Sequence, residues 1–153
     1  MKSFEIKKKI QKVDNVYGLV NLLPYENPEM LSHWAKYLCV VTFGLLESSI
    51  KEIYGDYAKN KSNTEIHNFV RASIKTSRNP SWEEIISIAR KFNVDWGENL
   101  QSVDDQISSS VNSVVSLRNR IAHGEDTNIT LHSMKEYYKD IKKAIQIIEE
   151  NCL

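Results

Sequence analysis

Apolar residues along this chain recur mostly at three- and four-residue spacing, the period of a helix that buries one face. Ile6, Ile10, Val13 and Tyr17 form one such stripe and predict a first helix over residues 4–23, ended by Pro24. A longer stripe follows. Trp34, Tyr37, Leu38, Val41, Leu45, Ile50, Ile53, Tyr54 and Tyr57 predict a helix over residues 28–59. Asn27 stands where an N-cap belongs, Pro28 suits the first helical position, and Glu29 favours the helix dipole. A helix apolar over so much of its girth is expected at the centre of the fold. Gly44 in its middle costs helix stability and is expected to mark the close approach of another helix.

The second half continues in the same period. Ser62-Asn63-Thr64-Glu65 has capping-box spacing and predicts a helix carrying Ile66, Phe69, Val70 and Ile74. After Asn79-Pro80, Ser81 and Glu84 repeat that spacing, with Trp82, Ile85, Ile86, Ile88 and Ala89 facing the core. Residues 94–100 predict a short helical turn. Residues 103–123 predict a helix with Ile107, Val111, Val114 and Val115 apolar. Thr130 is placed to cap a last helix bearing Leu131, Met134, Tyr137, Tyr138, Ile141, Ile145 and Ile148. No segment alternates convincingly as a strand. The predicted class is all-α, an up-and-down bundle of four long helices plus shorter ones.

Composition narrows the reading without directing it. With 153 residues the chain is expected to form one domain over 1–153, residues 1–27 being an N-terminal helix and linker and 28–153 the core. Lys+Arg and Asp+Glu are both 20, so no overall cationic field holds nucleic acid, and RNA binding would need a local patch. Cys39 and Cys152 make neither a disulfide framework nor a metal-ligand spacing, which points to a reducing cytoplasm. The N-terminus is charged where a signal peptide would be apolar, and the run Leu38 to Leu46 is too short to span a bilayer. No membrane partner, metal or cofactor is expected.

One stretch carries chemistry. Leu117-Arg118-Asn119-Arg120-Ile121-Ala122-His123-Gly124 gathers charged and titratable groups at the end of an apolar helix. Arginine is a permanent cation that grips phosphate in a forked geometry, and histidine can exchange a proton near neutral pH. Arg118 follows Val114 by four residues and Val111 by seven, so it continues the apolar stripe of its own helix. There it is costly unless it meets a carboxylate or a cleft. Asn119 and His123 share a face, but Arg118 and His123 lie about 140° apart around the axis. Convergence on one ligand requires either that the helix unwinds near Ala122 or that two chains pool their groups across a two-fold axis. Gly124 can take the left-handed conformation that ends a helix, leaving His123 in the last turn, where the dipole favours a cation.

Arg118-Asn119-Arg120-Ile121-Ala122-His123 resembles the Arg-x4–6-His motif of HEPN domains, including the polar residue that often follows the arginine. The order of elements is similar too, and Trp34 to Glu150, with Leu45-Leu46-Glu47 in the long helix, resembles the RiboL-PSP-HEPN branch. The resemblance implies a metal-independent endoribonuclease, usually a homodimer whose paired Arg and His residues line a cleft at the two-fold axis. It implies that His123 serves the ribose 2′-OH or the leaving 5′-oxygen, that Arg118 stabilises charge on phosphorus, and that a 2′,3′-cyclic phosphate results. Such proteins are commonly toxins or antiviral effectors restrained by a cognate antitoxin such as a nucleotidyltransferase. The alternative is a catalytically silent HEPN-like module that binds nucleotide, RNA or protein.

Other candidates are weaker. Asn119 is read as a positioner of substrate or of His123, and Arg120 as a solvated or RNA-steering cation. Glu47 is placed to orient Arg118 through a charge-assisted pair. Arg71 and Arg78 could extend an RNA path, as could Lys7, Lys8, Lys9 and Lys12, or Lys139, Lys142 and Lys143, although solvated helix faces explain all of them. His33, His67 and His132 have no metal spacing. Tyr37, Tyr54, Tyr57, Tyr137 and Tyr138 read as core or dimer interface and not as base-stacking platforms.

Overall fold

The computed structural model describes residues 3–24, 26–75 and 79–153, without the side chain of Lys75. Seven helices account for nearly all of them: α1 (Phe4–Val20), α2 (Pro28–Lys61), α3 (Thr64–Lys75), α4 (Trp82–Phe92), α5 (Val94–Gln101), α6 (Asp105–Ala122) and α7 (Leu131–Asn151). Among the described residues there is no strand. The class is the all-α bundle that the periodicity predicts.

Local chemistry sets most of the boundaries. Ser3, Asn27, Ser81, Asp104 and Thr130 each turn a side-chain oxygen onto a free N–H of the first turn, which would otherwise lack a partner. Asn93 serves twice, ending α4 with its backbone N–H and starting α5 with its side chain, 2.8 Å from the Asp95 N–H. Two starts and stops depart from expectation. The helix α1 ends at Val20, because residues 21–23 tighten into three-residue turns before Pro24. The start of α3 is capped by Asn63, whose Oδ1 accepts from the Ile66 N–H at 3.1 Å. Ser62 instead ends α2, its hydroxyl bonded back to the Ala58 carbonyl at 2.7 Å.

The central element is α2, which packs against α1, α3, α6 and α7. Lys9 reaches the Ser48 carbonyl and Glu52, while Tyr17 meets Thr42 at 2.7 Å, so α1 runs antiparallel to α2. Ser3 bonds Glu149 and Tyr138 bonds Asp14, so α7 also runs antiparallel to α1. Residues 123–130 fold α6 back onto α7, and Ile129, buried, pins that connection to the core. One apolar core takes Ile6 and Val13 from α1, Leu38 and Leu46 from α2, Val111 and Val114 from α6, and Ile141 and Ile145 from α7. No helix among the described residues is long and apolar enough to cross a membrane.

Three large residues of the apolar stripes are exposed. Tyr37 is 49% exposed, and Ile66 and Phe69 on α3 are 52% and 72% exposed. Those stripes are apolar, but the described part of the chain supplies no second layer over them. Gly44 likewise has open space where a side chain would begin, so no helix among the described residues approaches it.

Candidate active site at the end of α6

The helix α6 stays regular through Ala122 and closes at His123. Gly124 takes φ 71°, the one positive φ among the described residues. Its N–H bonds the Ile121 carbonyl at 3.1 Å and the Glu125 N–H bonds the Arg120 carbonyl at 3.0 Å. These are the paired bonds of a Schellman closure, in which a glycine is cheapest because it lacks the Cβ that clashes at positive φ. The unwinding that could have swung Arg118 and His123 together does not occur. Their directions remain about 140° apart on one ordered helix.

Arg118 is half-buried and lies over the ring of Phe43 on α2, its guanidinium carbon 4.8 Å from the ring centre. The negative face of an aromatic ring attracts a cation and partly offsets the loss of water. Its Nη1 donates to Asn119 Oδ1 at 3.3 Å. Among the described residues no carboxylate pairs with Arg118. The charge is therefore held in place but not neutralised, which is the condition of a guanidinium able to take a phosphate.

Asn119 thus positions Arg118 through its side chain, and only its backbone carbonyl serves His123, accepting the His123 N–H at 3.1 Å. The His123 ring is exposed and has no hydrogen-bond partner among the described residues. Arg120 points elsewhere. Its Nε bonds Glu125 at 3.2 Å and its Nη2 bonds the Asp126 carbonyl at 2.5 Å. Arg120 and Glu125 occupy the two positions that often make an apolar contact in a Schellman closure, and here an ion pair stands in for it. A phosphate on Arg120 would have to displace that pair.

Glu47 lies one turn beyond Phe43 on α2, but its carboxylate bonds Lys51 at 2.8 Å and not Arg118. The i,i+4 neighbour on its own helix wins because the two side chains meet without crossing to α6. The residue that sequence reasoning missed is Phe43. A phenylalanine in an apolar helix carries no signal of function until a second helix sets an arginine over it.

The remaining candidates divide. Lys9, Lys139, Lys142 and Lys143 pair with Glu52, Glu136, Asp14 and Asp140 respectively. His33 sits on the surface beside Glu29. His67 and Arg71 line a pocket against α2. Arg78 lies outside the described residues. Cys39 and Cys152 are free thiols that burial pushes up to about 12, so neither is an activated nucleophile. Among the described residues no group of three or more His, Cys, Asp or Glu could hold a metal ion.

Comparison with known proteins agrees with the geometry at the level of family. No curated protein and no solved structure matches the chain significantly. The model of the family described as RiboL-PSP-HEPN matches residues 2–153. That span includes α1, which the resemblance from Trp34 to Glu150 left outside. A match over nearly the whole chain, with the Arg-x4-His motif at a glycine-closed helix end, shows that this chain belongs to the RiboL-PSP-HEPN family.

Proposed function

We propose that the protein is a metal-independent endoribonuclease whose site is completed by a second copy of the chain. The observation that carries this reading is Arg118, a half-buried guanidinium shelved on Phe43, with no carboxylate partner among the described residues. An exposed histidine follows five residues later on the same helix. The family provides the reaction class, and the divergence of the two side chains supplies the need for a partner.

In the reaction, His123 takes the proton of the ribose 2′-OH, and the 2′-oxygen attacks phosphorus. The P–O5′ bond breaks, the 5′-oxygen leaves with a proton returned by the imidazolium, and a 2′,3′-cyclic phosphate remains. The guanidinium of Arg118 lies against the phosphoryl oxygens as their charge grows. In a two-fold dimer, Arg118 of one copy faces His123 of the other. The exposed strip of α2 beside this site supports such a dimer. Tyr37 and Val40 are 49% and 44% exposed there, and Gly44 would let a second helix come close. In this reading the protein works in the cytoplasm as a toxin or antiviral effector on RNA, restrained by a cognate antitoxin.

The test uses total RNA in EDTA with the wild type, Arg118→Ala and His123→Ala. Cleavage by the wild type alone, leaving cyclic-phosphate ends, is expected. RNA left intact by micromolar wild type free of co-purified inhibitor would overturn the reading, and binding without cutting would favour a silent module. Mixing the two inactive variants tests the shared site. Mixed dimers regain one intact Arg118–His123 combination if the pair forms across chains, and regain nothing if it forms within one. A monomeric mass at working concentration would also contradict it.

A further inference from the structure

A second cluster of cations lies away from the α6 end and takes no part in the proposed reaction. Lys51, Gly55 and Lys59 stand four residues apart on α2, so they form one row along its surface. His67 and Arg71 make the matching row on α3, and the two rows enclose a pocket of about 130 Å³. Gly55 opens the floor. The Arg71 stem passes over it with Cγ 3.8 Å from where a side chain would begin. Gly55 follows Phe43 by twelve residues, about 18 Å along the helix axis, so this pocket is distinct from the Arg118 site.

Two observations ask for a ligand. The Nδ1 of His67 is buried and has no hydrogen-bond partner among the described residues. A buried ring nitrogen left bare is uncommon, and a small polar ligand or water usually accounts for it. Arg71 likewise has no hydrogen bond or ion pair among the described residues, although it lies within reach of Asp56. The two carboxylates on the pocket wall do not cancel its cations. Glu52 is held by Lys9 at 3.3 Å, and Lys51 is held by Glu47 at 2.8 Å. That leaves Lys59, Arg71 and His67 facing Asp56 alone. Burial, and then the charge of Glu52, push the Asp56 carboxyl above the ordinary range, while Lys59, Arg71 and Lys9 pull it back.

We infer that the pocket between α2 and α3 binds a phosphate group, held by the fork of Arg71 and the Lys59 ammonium, with the His67 ring on its wall. The phosphate is either a free anion or one in a nucleic-acid backbone, and both use the same donors. The inference does not depend on ribonuclease activity.

The test follows the ring signals of His67 by proton–carbon NMR during titration with inorganic phosphate, with chloride at matched ionic strength as the control. The signals are assigned by their loss in His67→Gln. Saturable shifts with phosphate and none with chloride are expected, and Arg71→Ala should weaken binding roughly tenfold or more. His67 signals that stay still, move equally in chloride, or move unchanged in Arg71→Ala overturn the site. A non-cleavable single-stranded oligonucleotide provides the second arm. If it moves His67 and competes with phosphate, the bound group is a backbone phosphate. If it fails while phosphate succeeds, the site takes a free anion. Repeating the titration in His123→Ala separates this result from cleavage, since phosphate binding should persist there.

Discussion

The seam between α1 and α7 and the end of α6 both concentrate polar side chains, yet they handle them in opposite ways. In the seam, Tyr17 and Tyr138 stack with ring centres 4.3 Å apart and nearly parallel. Tyr17 shares a hydrogen bond with Thr42 and donates to the Met134 carbonyl. Tyr138 donates to Asp14, which also pairs with Lys142. Burial raises both phenols well above their ordinary range. Thr42 partly offsets this at Tyr17, and at Tyr138 the hydrogen bond and charge of Asp14 reinforce it. Both remain neutral at any physiological pH. Every polar atom named here is used within the chain, so the seam holds the fold together and has nothing left to bind.

At the end of α6 the balance reverses. Arg118 rests on a ring and one amide oxygen, and the imidazole of His123 is exposed with no partner among the described residues. Such groups gain little for stability and are available to a ligand. Chemistry on this molecule is therefore best sought where polar groups are ordered but unsatisfied, and structure where they are ordered and used up.

The largest expected break in this contrast is His123→Ala, which should lower RNA cleavage by about 10²–10⁴-fold. Its unfolding free energy should change by no more than about 0.5 kcal/mol, because the ring is exposed. The opposite separation should come from Tyr138→Ala, losing ~3–5 kcal/mol of stability in urea unfolding while turnover by the folded fraction is kept. If cleavage fell with Tyr138 while folding held, the seam would not be purely structural.

Smaller changes sharpen the comparison. Phe43→Leu keeps an apolar side chain but removes the ring under Arg118, so cleavage should fall roughly two- to thirtyfold. Its stability loss should stay below about 1.5 kcal/mol. A leucine variant with full activity would show that the ring does not position the guanidinium. The smallest effect belongs to Glu125→Ala. Removing the exposed partner of Arg120 should cost ~0.2–1 kcal/mol in thermal unfolding and leave cleavage unchanged. A gain in RNA affinity there would show that Arg120, once released, contacts phosphate.

How much was legible in the sequence differs from residue to residue for a physical reason. The caps at Asn27, Ser81 and Thr130, the closing glycine at 124 and the divergence of Arg118 from His123 follow from contacts within four or five positions, which spacing alone describes. The sequence by itself therefore determined seven helical segments, their all-α class and a motif at a defined helix end. Only the tertiary structure could decide which face of each helix met a neighbour. Apolar periodicity marks a stripe without saying whether anything covers it, and Tyr37, Ile66 and Phe69 lie exposed. It also cannot tell that Phe43 would lie beneath Arg118, that Glu47 would choose Lys51, or that rows on α2 and α3 would close a cationic pocket. Those outcomes depend on the rotation and height at which separate helices pack, quantities set by the whole core and written in no short stretch of chain.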